Sequence, residues 1–325
     1  MNACRRCSVF TILLALAATA WAAGSGEAAA AAPPGAAAGY PLTVTDDAGT
    51  AVTLAAKPAR IASLTMFTDE VLLDLVESSR IIAVTTFAAD PAISNVTTKA
   101  AGVPEKLAMN VEVLVAMKPD LLFVANWTEA DKVKQLRDAG VPVFLTATGV
   151  TVADIEAKIA RIGQLVGEPA KARKLVDSME ARLAAVRARL AKLPAGRRLS
   201  VVDYTVWGSA QGKGSSWDEI VHRAGLENGV GDIAADQWGQ VPLSKEKLLE
   251  IDPDVLILPG WTYDDPKGAE AFFAKTVADP VLKALKAVRE GRAFRMPENL
   301  KSATSQYLVD GVEWLARTAY PELFR

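Results

Sequence analysis

The chain contains the segment Glu112-Val-Leu-Val-Ala-Met-Lys-Pro-Asp-Leu-Leu-Phe-Val-Ala-Asn-Trp-Thr128 and repeats it as Glu246-Lys-Leu-Leu-Glu-Ile-Asp-Pro-Asp-Val-Leu-Ile-Leu-Pro-Gly-Trp-Thr262. Glu, Leu, Pro, Asp, Leu, Trp and Thr coincide without a gap at an offset of 134 residues, and Asp131 matches Asp265 just beyond. A match of this length in one register indicates an internal repeat of a supersecondary unit.

Each copy of the repeat predicts the same local structure. A short helix begins near the Glu, the Pro-Asp pair stops it, and a buried strand follows that ends in a loop carrying a Trp. Ligands of open parallel sheets lie beyond the carboxyl ends of the strands. We therefore expect Trp127 and Trp261 to project towards one cleft from two lobes, with ordinary packing tryptophans as the alternative.

The rest of the chain alternates short apolar runs with helical spacing, which is typical of layered α/β domains. Residues 42–45 and 51–54 are predicted to form a small hairpin. Further strands are predicted at residues 61–64, 81–84, 121–124, 143–145, 199–204, 255–258 and 293–296. Residues 169–193 form one long amphipathic helix in this reading, with Pro169 in its first turn. The prediction is α/β: two Rossmann-like parallel-sheet lobes, residues 42–168 and 194–325, joined by that single rigid helix, with the ligand cleft between the lobes.

The first 22 residues have the three parts of a secretory signal peptide. Arg5 and Arg6 precede an apolar run, and Ala20-Trp21-Ala22 offers a cleavage site. A retained membrane anchor is the alternative. Cys4 and Cys7 fall within the signal, so we expect no lipoprotein anchor and a periplasmic location. Residues 23–41 are an Ala/Gly/Pro-rich leader that is expected to be disordered.

Composition excludes several classes of protein. Lys and Arg number 36 against 38 Asp and Glu, which argues against a nucleic-acid partner. The chain has one histidine, His222, and two cysteines, so we predict no metal site, no cofactor and no catalytic residue. A secreted α/β enzyme with a carboxylate-based site remains the alternative of another class, although no spacing singles out a pair of carboxylates.

Several short motifs occur in an order and spacing that are specific as a set. They are Pro58-Ala-Arg-Ile-Ala-Ser63, the two Glu…Pro-Asp units, Lys213-Gly-Ser-Ser-Trp-Asp218 and Ala319-Tyr-Pro-Glu322. This set resembles the periplasmic binding proteins of ABC importers for vitamin B12, ferric siderophores and haem. The resemblance implies two lobes bridged by a rigid helix and a monomeric solute receptor that is not an enzyme. It also implies that Glu112 and Glu246 pair with arginines on the membrane permease subunits of the transporter.

Aromatic residues near strand ends are the candidates for ligand binding. They are Phe87, Trp127, Trp207, Trp238, Trp261 and Tyr263. Trp217 and Tyr204 also fall near strand or helix ends, whereas Trp314 is expected in the core. An aromatic cleft suits a large, rigid, partly apolar ligand.

The class of ligand follows from charge and from the resemblance. Lys213 and Lys301 are the chief bases of the predicted cleft loops, whereas anionic catecholates would need several. Phe87 and Trp127 resemble, by position, aromatic residues of cobalamin-binding members of the family. Val103 stands where haem binders have Tyr, although Tyr263 could ligate iron. The prediction is a corrinoid, with a hydroxamate-type ferric siderophore or haem as alternatives.

Overall fold

The structure is a computed structural model that describes residues 39–194, 196–263, 265 and 267–325, all within one compact unit of the chain. The predicted signal peptide with its two cysteines, and most of the predicted leader, lie outside the described residues. Within the described part of the chain, no helix is both long and apolar enough to cross a membrane.

The N-terminal lobe is a parallel sheet preceded by a hairpin. The strands are β1 (Leu42–Thr45), β2 (Ala51–Leu54), β3 (Ile61–Leu64), β4 (Ile81–Thr85), β5 (Glu105–Leu107), β6 (Leu121–Ala125) and β7 (Val143–Thr146). β1 and β2 form the antiparallel hairpin, and the other five form a parallel sheet in the order β5-β4-β3-β6-β7. Its helices are α1 (Met66–Leu75), α2 (Thr97–Ala100), α3 (Val111–Met117), α4 (Ala130–Asp138) and α5 (Val152–Leu165). Every residue of β6 is buried, because helices cover both faces of a parallel sheet.

A long helix, α6 (Pro169–Leu190), joins the lobes. It spans 22 residues, about 33 Å, and ends three residues before the predicted boundary at residue 193. Ala172, Met179 and Val186 are its buried residues, seven apart, so one face of the helix packs on the core. Its Arg182 also pairs with Asp310 at 2.8 Å and with Glu313 at 3.0 Å.

The C-terminal lobe contains a second parallel sheet and a separate ribbon. Its strands are β8 (Ser200–Asp203), β9 (Ser209–Gln211), β10 (Glu227–Asn228), β11 (Gln240–Pro242), β12 (Val255–Pro259) and β13 (Ala293–Met296). The parallel sheet has the order β10-β8-β12-β13, and β9 pairs antiparallel with β11. The helices are α7 (Ser216–Arg223), α8 (Lys245–Ile251), α9 (Gly268–Ala278), α10 (Lys286–Arg289), α11 (Glu298–Lys301) and α12 (Leu308–Ala319). Arg182 of α6 pairs with α12, so the long helix is fixed to this lobe.

The repeat has the same local geometry in both lobes. α3 and α8 are each capped by a side chain, Asn110 or Ser244, and each helix ends on a left-handed residue, Lys118 (φ 47°) or Asp252 (φ 43°). The aspartate of each Pro-Asp pair then accepts a hydrogen bond from the backbone at the start of the first parallel strand of its lobe, β3 or β8. Asp120 accepts from the backbone N–H of Arg60 at 3.0 Å, and Asp254 accepts from that of Ser200 at 2.9 Å.

The predicted α/β class with two parallel sheets is confirmed, and each predicted strand overlaps an observed one. The strands missed by prediction, β5, β9, β10 and β11, have two or three residues and contain few apolar ones. Two aromatic residues considered near the cleft are core residues: Trp217 is fully buried, and Tyr204 is buried and stacks on Phe272.

Candidate functional site

Two segments that follow strands of the two sheets meet at a reciprocal asparagine contact. Asn95 follows β4 and Asn299 follows β13. The Asn95 amide nitrogen donates to the Asn299 carbonyl at 2.9 Å, and the Asn299 amide nitrogen donates back to Asn95 Oδ1 at 2.9 Å. Both sheets therefore open towards one inter-lobe space, which is where ligands of parallel sheets bind.

A buried carboxylate on α1 extends this contact into a network. Glu70 accepts from the Asn95 backbone N–H and amide through Oε1 and from the Ser305 hydroxyl through Oε2. Gln306 donates to the Glu70 carbonyl at 2.8 Å and to Asp74 Oδ2 at 2.9 Å. Burial raises the pKa of Glu70, while these hydrogen bonds favour its charged form. The network fixes α1 of one lobe to the segment that precedes α12 of the other.

Asp69, beside Glu70, holds the loop that carries Phe87. Its Oδ2 accepts from the Thr85 backbone N–H at 3.1 Å and from the Thr85 hydroxyl at 2.5 Å. Its Oδ1 has no hydrogen-bond partner in the described part of the chain. Burial raises the pKa of Asp69 to about 7, because a carboxylate without full hydrogen bonding is unfavourable away from water.

Most predicted aromatic site residues are exposed beyond strand ends. Phe87 follows β4, Trp127 follows β6, Trp207 follows β8, and Tyr263 follows β12. Their exposed fractions are 52%, 78%, 80% and 68%. Trp238, in the turn before β11, is 78% exposed. Exposed aromatic side chains of this size are unusual, because such rings are normally at least partly buried.

The two repeat tryptophans differ in their surroundings. Trp261 is half-buried and packs edge-to-face against Tyr263, with ring centroids 6.0 Å apart, whereas Trp127 is exposed. Trp207 and Trp238 lie at opposite ends of the β9–β11 ribbon, because each precedes one strand of an antiparallel pair. The predicted residues thus occupy both lobes as separate rings, with Trp261 and Tyr263 as the contacting pair.

A cavity of about 470 Å³ lies beside Trp207. We call it the polar cavity, because most of the residues that line it are polar, among them Gln211, Asp236, Gln240, Glu298 and Lys301. Lys301 lines it and is 5% exposed, with its Nζ 3.7 Å from Asp203 Oδ2 and 3.8 Å from Glu298 Oε2. Asp203 is fully buried, and burial raises its pKa to about 6 although the nearby Lys301 ammonium lowers it. The sequence identified Lys301 as a base of the cleft but not its carboxylate partners, which lie far from it in sequence or within the same short helix.

Other candidate features lie elsewhere. A cavity of about 850 Å³ is lined by residues of α5, α6 and α7 and the segments that follow α6 and α7, none of them beyond the carboxyl end of a strand. His222 lies on α7, half-exposed, with its Nδ1 2.7 Å from the Asp218 carbonyl. Among the described residues, no group of three or more His, Cys, Asp or Glu side chains is placed to hold a metal ion.

The two predicted docking glutamates occupy equivalent exposed positions. Glu112 lies in the first turn of α3 and Glu246 in the first turn of α8. Hydrogen bonds from its own backbone N–H and from Ser244 lower the pKa of Glu246. A carboxylate in the first turn also interacts favourably with the helix dipole.

The chain is similar to a family of known proteins in sequence and in structure. The family model described as "Periplasmic binding protein" matches residues 61–300. A Bacillus subtilis protein named uncharacterized ABC transporter substrate-binding lipoprotein YvrC is 27% identical over 298 residues, 88% of this chain and 88% of that protein. A cobalamin-binding protein of Halobacterium salinarum is 28% identical over 220 residues, 67% of this chain and 58% of that protein. The structure of molybdate-bound MolA from Haemophilus influenzae superposes with a TM-score of 0.71 at 22% identity, covering 87% of this chain and 92% of that one.

Proposed function

We propose that this chain, which belongs to the periplasmic binding protein family, captures a corrinoid outside the cytoplasm and delivers it to an ABC importer. Substrate-binding proteins of this family work with ABC transporters rather than as enzymes. The corrinoid is the finer part of the proposal, and the exposed aromatic rings beyond the strand ends carry it.

The size and spread of the aromatic surface support a large ligand. Phe87 and Trp127 belong to the N-terminal lobe, whereas Trp207, Trp238 and Tyr263 belong to the C-terminal lobe. Rigid rings supply contact area at low entropic cost. A corrin macrocycle has the flat, partly apolar edges that such rings can cover from two sides.

The charges near the aromatic rings favour a ligand without strong negative charge. Lys301, the buried cation of the polar cavity, lies within 4 Å of two carboxylates, Asp203 and Glu298. Anionic chelates are normally bound by several unopposed Arg or Lys side chains. Catecholate siderophores and molybdate therefore fit this surface less well than a neutral or zwitterionic corrinoid.

The names of the relatives support a solute-binding role but do not decide between the candidate ligands. One relative is named for cobalamin and the structural neighbour for molybdate. Haem is the alternative with an observation of its own, because the Tyr263 phenol is exposed beside the ring of Trp261 and could ligate iron. A hydroxamate siderophore shares the need for an aromatic cleft.

Calorimetric titration of the purified mature chain tests the proposal. The panel is cyanocobalamin, ferrichrome, haemin and molybdate, each at the same protein concentration. We expect saturable 1:1 binding of cyanocobalamin with the ligand recovered unchanged. Saturable binding of another member of the panel with none of cyanocobalamin would contradict the corrinoid assignment, and chemical conversion of a ligand would restore the enzyme alternative.

We further propose that Glu112 and Glu246 contact the permease. Their equivalent positions on α3 and α8, one in each lobe, match a partner built from two similar subunits. The other parts of the proposal are a monomeric receptor, lobes at residues 42–168 and 194–325, and removal of residues 1–22 without lipid attachment. Amino-terminal sequencing of protein from the cell envelope tests the last part, since it should begin at Ala23.

A further inference from the structure

The polar cavity beside Trp207 contains hydrogen-bonding groups without partners. In the described part of the chain, the Lys301 ammonium donates no hydrogen bond, although the residue is 5% exposed. Gln211 lines the same cavity, and no hydrogen bond of its side-chain amide is found among the described residues. Gln240 uses its carbonyl to accept from the Ser209 hydroxyl at 3.0 Å, which leaves its amide nitrogen to donate. Lys301 is buried and the two glutamines are half-buried, so these donors favour a ligand that can accept from them.

The same cavity also contains acceptors and carries more negative than positive charge. Glu298 accepts from the Ser302 hydroxyl through Oε1, and its Oε2 faces Lys301 at 3.8 Å. Asp236 lines the cavity, and Asp203 lies next to Lys301. Lys301 thus has two carboxylates within 4 Å and the cavity lining carries a third, Asp236, so an additional anionic group would be repelled.

A primary carboxamide satisfies both conditions, because it is neutral and has an oxygen that accepts and a nitrogen that donates two hydrogen bonds. We propose that this cavity binds a carboxamide side chain of the ligand, with Lys301 donating to the amide oxygen and Glu298 Oε2 accepting from the amide nitrogen. The inference rests on the proposed corrinoid function, since the corrin ring bears amide side chains around its edge. Glu298 is then the residue that rejects a carboxylate at this position.

The test compares cyanocobalamin with its isomeric monocarboxylic acids, in each of which one propionamide is hydrolysed to a carboxylate. Affinities are measured by calorimetry at pH 7.5 for the unaltered chain and for Glu298→Gln. For the unaltered chain, we expect at least one isomer to bind about tenfold or more weakly than cyanocobalamin, because a carboxylate would meet Glu298 at close range. Glu298→Gln removes that repulsion and should reduce the difference to about threefold or less.

Glu290→Gln is the matched control. It removes the same charge from an exposed residue at the end of α10, outside the cavity, and should leave the discrimination unchanged. If all isomers bind the unaltered chain as tightly as cyanocobalamin, or if Glu298→Gln leaves the difference intact, the amide subsite is wrong. If the unaltered chain does not bind cyanocobalamin, the proposed function itself fails, which is a separate and distinguishable result.

Discussion

Replacing Trp127 with alanine should weaken corrinoid binding without destabilising the fold. The side chain is 78% exposed, and its turn is held by backbone hydrogen bonds, from Thr128 N–H to the Ala125 carbonyl and from Asn126 N–H to the Thr146 carbonyl, each 3.0 Å long. Neither bond involves the ring. The ring is therefore available to a ligand and dispensable to the turn.

The expected magnitude follows from the exposed area. A tryptophan offers up to about 250 Å², so 78% exposure leaves about 190 Å², of which a stacked ligand covers roughly half. At about 25 cal/mol per Å², that contact contributes about 2.5 kcal/mol, or a loss of about 60-fold in affinity. Calorimetric titration with cyanocobalamin measures the affinity, and urea unfolding followed by circular dichroism measures the stability.

Trp314→Ala is the matched control, because the same substitution there has the opposite pair of effects. Trp314 is half-buried on α12 and packs against the main core, the cluster that includes the buried residues of α6, α7 and α12. Its loss should lower the free energy of unfolding by about 2 kcal/mol while the affinity changes less than about twofold. A Trp127→Ala variant that unfolds more easily but binds normally would refute the assignment of Trp127 to the ligand surface.

Three further predictions concern docking, buried charge and backbone strain. The double variant Glu112→Lys, Glu246→Lys should bind cyanocobalamin within about twofold of the unaltered affinity but should no longer stimulate the transporter's ATPase in proteoliposomes. Full stimulation by this variant would disprove docking through these residues. The pKa of Asp69 is about 7 in the folded chain against 3.8 in the unfolded chain, so the folded state binds more protons between these values. The free energy of unfolding should therefore fall as pH rises from 4 to 7, by on the order of 4 kcal/mol. Asp69→Asn should flatten that profile in urea unfolding across the same range, and an unchanged slope would show that another group causes it. Lys118→Gly should raise the free energy of unfolding by about 0.5–1 kcal/mol, because the Lys118 backbone is left-handed. Asp252→Gly should raise it less, because Asp252 Oδ1 accepts from the Lys286 N–H at 2.7 Å and that bond would be lost. Equal increases for the two variants would contradict this account.

The repeated unit could be predicted from sequence because its determinants are local. A helix cap, a Pro-Asp stop and a run of buried apolar residues act within about 17 residues, so they specify α3 with β6 and α8 with β12 wherever they occur. The alternation of such units predicts parallel sheets, since both faces of each strand must be covered by helices. The short edge strands escaped prediction because their two or three residues carry no periodic pattern.

The chemical character of the site was decided by contacts between residues distant in sequence. Trp217 and Trp238 both belong to polar stretches, yet one is fully buried and the other is 78% exposed, because only the first packs under α12 in the main core. Glu70 meets Ser305 across 235 residues, and Asp203 meets Lys301 across almost 100. No local pattern encodes such pairs. The first pair joins the two lobes and the second joins β8 to the short helix after β13, so both form only in the tertiary structure. Burial there makes a carboxylate or an ammonium depend on its partner.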